Sequence, residues 1–470
     1  MKILLVQLLW QRIDKPIYPL GLVCLATALK DRYQVLCLDE NMFEKNGTNA
    51  DSAATLLKHA LKFQPDVIGL SVRNVDSVAY WELIVGEAAN AFSTMDHLKK
   101  IAWLLRQNLP NTVQIVGGPA FSIFAKHIME VVPELDFGVV GEGEKTFPLL
   151  LDNLSQPDKV PGVFFRRNGS VGQTAKGAQL SFPAIANPDY DVMDIEPYVD
   201  LEQLDSIGIQ SKRGCSQLCD YCVYPLINGK RIRLRDPIQV VKEIEGLIDR
   251  HHLRSFQFTD SVFNHPPRHA DAICDEIIRR KLQVEWSAWF DIKTLDEESM
   301  KKAVEAGCHI LELSPDGFSN RTLKALAKNI TKKDIIRVCR IARKVPHALI
   351  RLNFLCNLPD ETIFSLFQLL GFFVRLKLFY RGKVEIHAFN FIRIFPNTVI
   401  YQRAINEGII SPDLELLPND PLDFIRTYYR PRPGSLIEKT YSLMVRFSRF
   451  RRRLRSNANA LLKNNGGSRR

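Results

Sequence analysis

Lys-Arg-Gly-Cys-Ser-Gln-Leu-Cys-Asp-Tyr-Cys, residues 212–222, sets Cys215, Cys219 and Cys222 at spacings of four and three residues. One loop of that length presents all three thiolates to a single iron–sulfur cluster. A cubane has four irons, so three protein thiolates leave one iron without a ligand from the loop. That iron can chelate a small molecule carrying an amine and a carboxylate. The competing readings are a zinc knuckle and three unrelated buried thiols. A structural zinc site takes four ligands, and no Cys or His stands two to four residues beyond Cys222 to complete one.

Downstream of this loop, runs at 256–259, 284–289, 310–313, 348–354 and 384–391 read as strands. They alternate with helices beginning near Pro237, Pro267, Asp296, Ser319, Lys332 and Thr362. Pro237 suits a first helical position, where its missing N–H costs nothing, and Asp296 suits an N-cap. With the strand leading into Cys215, about six β/α units result, which predicts a partial TIM-like barrel with its chemistry at the carboxyl ends of the strands.

Upstream, strands at 2–9, 34–39, 66–72, 113–116 and 135–140 alternate with helices at 20–31, 52–63, 95–107, 121–131 and 144–153. That alternation predicts a doubly wound parallel sheet of Rossmann-like form, whose ligand sits outside the strand ends. The residues there are Trp10 and Gly21 after the first strand, Ser71, Arg73 and Asn74 after the third, Gly117 and Gly118 after the fourth, and Gly141, Glu142, Gly143 and Glu144 after the fifth. Glycines at such ends allow close backbone approach to a flat or phosphorylated ligand, although any one pair is also consistent with an ordinary turn. The divisions expected are 1–154 for this unit, 155–204 for a connector with a hairpin around Asn168-Gly169 and a Pro-rich passage, 205–395 for the partial barrel, and 396–470 for a C-terminal extension.

The C-x3-C-x2-C spacing with Tyr221 before the last cysteine resembles the signature of the radical S-adenosylmethionine (radical SAM) enzymes. The Gly-Gly and Gly-Glu-Gly-Glu turns ahead of it resemble the cobalamin-binding domain of the cobalamin-dependent members, nearest in look to the class B radical SAM methyltransferases. The resemblance implies a [4Fe–4S] cluster on the three cysteines, S-adenosylmethionine (SAM) near Tyr221, Asp260 and Glu312, and cobalamin along the strand-end residues from Trp10 to Glu144. Asp260 and Glu312 read equally as solvated or capping acids. No Asp-x-His-x-x-Gly motif is present, so the implied cobalamin has no histidine below the cobalt. Arg73 is then a candidate for that lower face, where a cation excludes a donor, or else an arginine that pairs with phosphate or faces solvent. Asn357-Leu358-Pro359-Asp360-Glu361-Thr362 resembles the family's Gly-x-Pro-Gly-Glu-Thr turn with both glycines replaced. Val72-Arg73-Asn74 and the passage 314–320 resemble a subgroup that includes methylases acting on indole carbon, without fixing a substrate here.

The function implied is formation of a 5′-deoxyadenosyl radical and methylation of an unactivated carbon. The rivals are a non-methylating rearrangement or cyclisation on the same cofactors and a non-catalytic cobalamin or redox sensor. An electron donor such as flavodoxin or ferredoxin is implied, with a small-molecule, lipid or peptide substrate. Trp286, Trp289, Phe290, His387, Asn390 and Arg393 are candidates for the cavity wall, against a core role for the strand aromatics.

The chain has 470 residues, 46% of them hydrophobic, as expected of several globular domains. Six cysteines outside the loop fall in apolar contexts and read as reduced core thiols, which points to the cytoplasm. The net charge of +11 is concentrated toward the C-terminus, so nucleic acid is not expected. Residues 436–462 read as one helix in which Arg446, Arg449, Arg451, Arg452, Arg453 and Arg455 interleave with apolar residues. Peripheral contact with an anionic membrane and a solvated closing helix are the two readings of it. The last residues, from Asn464, read as a disordered tail.

Overall fold

A computed structural model of the chain describes residues 1–9, 16–43, 49–74, 83, 92–181, 187–201, 203–444 and 446. The first unit is a seven-stranded sheet of β1 (Lys2–Gln7), β2 (Gln34–Asp39), β3 (Val67–Ser71), β4 (Val113–Gly117), β5 (Phe137–Val139), β6 (Val163–Arg167) and β7 (Ser170–Gln173), in the order β2-β1-β3-β4-β5-β6-β7. The first five strands run parallel, and α1 (Leu20–Leu29), α2 (Asn49–Phe63), α3 (Thr94–Asn108), α4 (Pro119–Val131) and α5 (Gly143–Leu151) connect and cover them. β1 is buried at every position after Lys2, as a central strand covered on both faces must be. The strand order reverses between β1 and β3, and that switch point opens a crevice at the carboxyl ends of both. The hairpin β6–β7, grouped with the connector on sequence grounds, pairs antiparallel onto β5 and makes the edge of this sheet.

The short α6 (Glu196–Val199) leads into the second sheet. Its six strands, β8 (Gly208–Ile209), β11 (Ser255–Phe258), β12 (Glu285–Phe290), β13 (Cys308–Asp316), β14 (Ile350–Cys356) and β15 (Val384–Phe391), are all parallel and lie in chain order. Strand succeeds strand through α8 (Pro237–His251), α9 (Pro267–Arg280), α10 (Glu297–Glu305), α11 (Asn320–Ala325) with α12 (Lys332–Lys344), and α13 (Ile363–Phe379), the arrangement of a partial barrel. The caps are local and legible. Asp236 accepts from the N–H groups of Ile238 and Gln239 ahead of α8, and Thr331 with Asp334 closes a capping box on α12. Between β8 and β11 stand the small ribbon β9 (Lys212–Arg213) with β10 (Arg233–Leu234) and the one-turn α7 (Tyr224–Asn228). α14 (Val399–Asn406) follows the last strand, and residues 436–444 are helical.

One continuous apolar cluster runs from Leu4 and Val6 of the first sheet to Trp286 and Phe354 of the second. A smaller one backs the other face of the first sheet. The two sheets therefore share a core and turn their strand ends toward a common space.

Candidate active site between the two sheets

The cysteine loop hangs from β9. Gly214 turns the chain with φ +92°, and a Cβ there would stand 2.1 Å from the Arg231 carbonyl, so this position excludes a side chain. The Cys215 N–H donates to the Gly229 carbonyl at 3.0 Å, the Asp220 N–H to Leu326 at 3.2 Å, and the Cys222 N–H to Cys219 at 3.1 Å. Lys212, buried, donates its ammonium to the carbonyls of Phe263 and His265 at 2.5 and 2.8 Å and so ties the loop to the end of β11. Burial pulls the pKa of that ammonium down to about 8, against the opposing pull of Asp260 and Cys215.

Cys215, Cys219 and Cys222 are all free thiols. Burial raises the pKa of Cys219, and that of Cys222 to about 11, and the mutual charge of the three sulfurs adds to both while Lys328 opposes it. Lys328 forms a buried ion pair with Asp316, whose carboxylate also accepts from the Tyr221 hydroxyl at 2.5 Å. Among the described residues no three His, Cys, Asp or Glu side chains converge as the ligands of a single metal ion. Three thiols on one loop, with no fourth Cys or His in it, are the donor set that a cubane with one open iron takes, whereas a structural zinc site takes four.

Beside the loop, at its flanking residues Arg213 and Tyr224, is a cavity of about 520 Å³, within the range of cofactor pockets (~300–1,000 Å³). From the first sheet Gly21, Ser71, Arg73, Gly117 and Gly118 line it, and so do Gly141, Glu142, Gly143 and Glu144. From the second come Gly208, Gln210, Arg213, Tyr224 and Thr259. Gly118 has φ +100°, and a Cβ on it would lie 2.6 Å from the Val72 carbonyl; Gly141, at φ +82°, has open space before it. These bare backbones make a flat-walled cradle that a side chain would fill. Arg73 is desolvated, which lowers its pKa, and Asp39 and Asp205 work against that. Asn74 is half-buried and not part of the wall, and Trp10 lies outside the described residues.

The two glutamates of the cradle are committed to protein partners. Glu144 receives Arg213 at 2.5 Å; Glu142 receives Arg233 at 2.5 Å and the Leu180 N–H at 3.0 Å. All four side chains are 7–11% exposed. Asp260 is likewise occupied, accepting from the Ser211 and Lys212 N–H groups at 2.9 and 3.1 Å and from the Ser211 hydroxyl at 2.5 Å. It fastens the start of the cysteine loop to the end of β11. Glu312 accepts from Asn353 at 2.9 Å, with Arg351 at 3.6 Å. At the carboxyl end of β14 the buried Asn357 amide nitrogen finds no hydrogen-bond partner among the described residues, as a group awaiting a ligand would.

The further wall candidates fall elsewhere. Trp286 and Phe290 belong to the aromatic core with Phe258 and Phe263, and the Trp286 indole donates to Ala306 at 2.7 Å. Trp289 is half-buried, while His387 and Asn390 are exposed. Arg393 is buried among Phe395, Phe424 and Tyr428 and donates to backbone carbonyls of Ile394 and Thr427, a bolt for the C-terminal segment.

The model of the B12 binding domain matches residues 8–151, and that of the radical SAM superfamily matches residues 209–370. The chain belongs to the radical SAM enzymes that carry a B12-binding domain. Similar proteins include an uncharacterized methyltransferase of Pyrococcus horikoshii, 26% identical over 433 residues that cover 90% of this chain and 86% of that protein. An anaerobic magnesium-protoporphyrin IX monomethyl ester cyclase of Synechocystis is 26% identical over 268 residues, 55% of this chain and 53% of the cyclase. In fold the chain is similar to the radical S-adenosylmethionine methyltransferase TsrM of Kitasatospora setae, solved with cobalamin and a [4Fe–4S] cluster bound, at TM-score 0.74 and 22% identity, covering 91% of this chain and 84% of that one.

Within the B12-binding and radical SAM domains the structure adds residues that strand-end reasoning passes over. Arg213 stands in the cysteine stretch itself and is visible there as a cation two residues before the first thiol. Tyr224 hydrogen-bonds the Thr259 carbonyl at 3.1 Å and closes the wall between the domains. Lys328 carries no local signal. It reaches Tyr221 and Asp316 only because the turn after α11 folds under the cysteine loop.

Proposed function

We propose that this chain is a cobalamin-dependent radical SAM methyltransferase acting at an unactivated carbon. The observation that carries the reading is one cavity lined on the first sheet by a glycine-rich strand-end cradle and on the second by Arg213 and Tyr224, the residues that flank the three-thiol loop. When bound, the iron–sulfur cluster supplies an electron, SAM a radical precursor and a methyl group, and cobalamin a carrier for that methyl group.

The chain's own contribution is positioning and exclusion. Cys215, Cys219 and Cys222 hold the cluster as thiolates, and Lys328 with Asp316 and Tyr221 stiffens the loop from below. Gly117, Gly118, Gly141 and Gly143 would let the corrin approach the backbone, and Arg73 would meet it as a cation that offers the metal no donor. Asp260 acts as a positioning residue for the loop, whereas Glu312 on β13 and Asn357 just after β14 have hydrogen-bonding capacity for SAM. Arg213 and Tyr224 seal the seam, keeping water and stray hydrogen donors away. Enzymes of this superfamily need an electron donor and a substrate; a flavodoxin or ferredoxin suits the first role. The similarity to a cyclase favours, as a second reading, ring closure on the same cofactors.

Anaerobic reconstitution of the wild type and of Cys215→Ala/Cys219→Ala/Cys222→Ala tests the assignment. The wild type should carry iron and cleave SAM, and the variant should lose at least about tenfold in both. S-adenosylhomocysteine together with a gain of one methylene unit in a cell-extract metabolite supports methylation. 5′-Deoxyadenosine without S-adenosylhomocysteine supports ring closure, and an iron-free wild type sinks both.

A further inference from the structure

α13 is apolar on its inner face and along most of its outer one. Its inner face, with Leu366, Leu369, Phe372, Phe373 and Leu376, is buried against the second sheet. Its outer face is not. Ile363, Phe364, Phe367, Val374 and Leu378 are 46, 71, 63, 58 and 70% exposed. Positions 363, 367, 374 and 378 recur at helical spacing with Gly371 between them, so these side chains line one face about four turns long. A helix that is apolar all round is normally enclosed, and a contiguous exposed patch marks a surface that meets something.

The charges around the stripe indicate what. At about 100° per residue, exposed Arg375 and Lys377 fall on opposite sides of it, and exposed Arg381 lies just past its end. No acidic residue occurs within Ile363–Phe379. Beside the first turn, the helix 436–444 is fixed by the Tyr441 hydroxyl on Glu361 at 2.6 Å and exposes Leu436 and Leu443 by 63 and 68%. In sequence it leads on to the run of arginines from Arg446 to Arg455.

We propose that this face of α13 seats on an anionic lipid bilayer. Apolar side chains flanked on both sides by long cationic ones match such an interface, in which Phe and Leu enter the headgroup boundary while Arg and Lys lay their stems along it and reach the phosphates. A second copy meeting this stripe through its own α13 would offer the same cations and no acid of that helix to meet them. Ile363 directly follows the turn at the carboxyl end of β14, so the bilayer lies beside the mouth of the second sheet. The inference concerns only this surface, and its failure leaves the reading of the cavity intact.

The test is co-sedimentation of the full reconstituted chain with vesicles of phosphatidylglycerol and phosphatidylcholine in equal parts, or of phosphatidylcholine alone. Phe364→Glu/Phe367→Glu/Leu378→Glu is compared with wild type at matched iron content and circular dichroism. Expected are binding at least about tenfold stronger to the anionic vesicles, weakened by salt, and a loss of about tenfold or more in the triple variant. Equal partition onto the two vesicle types overturns the proposal. So does full binding by the triple variant, which would place the contact in the arginine-rich segment, or a wild-type dimer that the triple variant converts to monomer.

Discussion

Glu361 shows how one side chain carries both a readable and an unreadable signal. Its place in the Asn-Leu-Pro-Asp-Glu-Thr turn is evident from the sequence. Its partner Tyr441 lies 80 residues further on, and only the docked C-terminal helix brings the two hydroxyl and carboxylate oxygens to 2.6 Å. Burial raises the Glu361 pKa from 4.5 to about 7, and the hydrogen bonds from Tyr441 and the Leu358 and Asn357 backbone offset this only in part. Such a carboxyl binds its proton more tightly folded than unfolded. Between about pH 4.5 and 7 the folded chain therefore holds the extra proton, and stability falls as pH rises through that window. Glu361→Gln removes the titration. The wild type should lose on the order of 2 kcal/mol more than the variant between about pH 5 and pH 8, read from thermal unfolding at each pH. Parallel curves for the two proteins would refute the assignment. Asp260 gives the same lesson in reverse: the strand end is legible, but not that its carboxylate turns inward to the Ser211 and Lys212 backbone.

Among elements, period and punctuation carry most of the information. Runs of β-branched residues alternating with helical spacing yield the parallel strands of both sheets, and Pro237, Asp296 and Thr362 announce their helices, which Asp236, Asp296 and Thr362 cap by accepting from backbone N–H groups. The hairpin β6–β7 is legible as a hairpin, but not as an edge of the first sheet. Its pairing with β5 is a tertiary choice that no local pattern encodes. β8 and β9, two residues each, are too short for any periodicity to register. The glycines at the strand ends look alike in sequence yet differ physically. Gly118 combines φ +100° with a Val72 carbonyl 2.6 Å from any Cβ, whereas Gly21, exposed in the first turn of α1, would place a Cβ against nothing within 4 Å. Gly118→Ala should cost about 2 kcal/mol or more and abolish cobalamin retention. Gly21→Ala should be neutral or stabilise by about 0.5–1 kcal/mol, because alanine is the better helix former. Thermal unfolding of the apoprotein and the visible absorbance of bound cobalamin measure the two effects separately. Equal destabilisation by both substitutions would show that the strand-end backbone is not what distinguishes them.

At the scale of the whole molecule, each unit's fold class is legible alone, while the way they face each other depends on a few buried charges that the sequence does not pair. Arg213 and Arg233, which flank the cysteine loop, reach Glu144 and Glu142 on the turn after β5, at 2.5 Å in both cases. Each pair is buried, so desolvation offsets much or all of its attraction, but removing one member strands the other in a poorly solvated place. In Arg213→Met, Arg233 still answers Glu142, and Glu144 is left without its cation. The expected cost is about 3–5 kcal/mol, and Arg213→Met/Glu144→Gln should recover a good part of it, since no buried charge remains unpaired. Because this pair crosses the seam of the cavity, the loss should be directional as well as large. Calorimetry should show one unfolding transition for the wild type and two for Arg213→Met, one for each sheet, and cobalamin retention should fall even where the iron content of the cysteine loop is unchanged. A single transition shifted uniformly downward would mean that the shared apolar core, rather than the Arg213–Glu144 contact, couples the two domains.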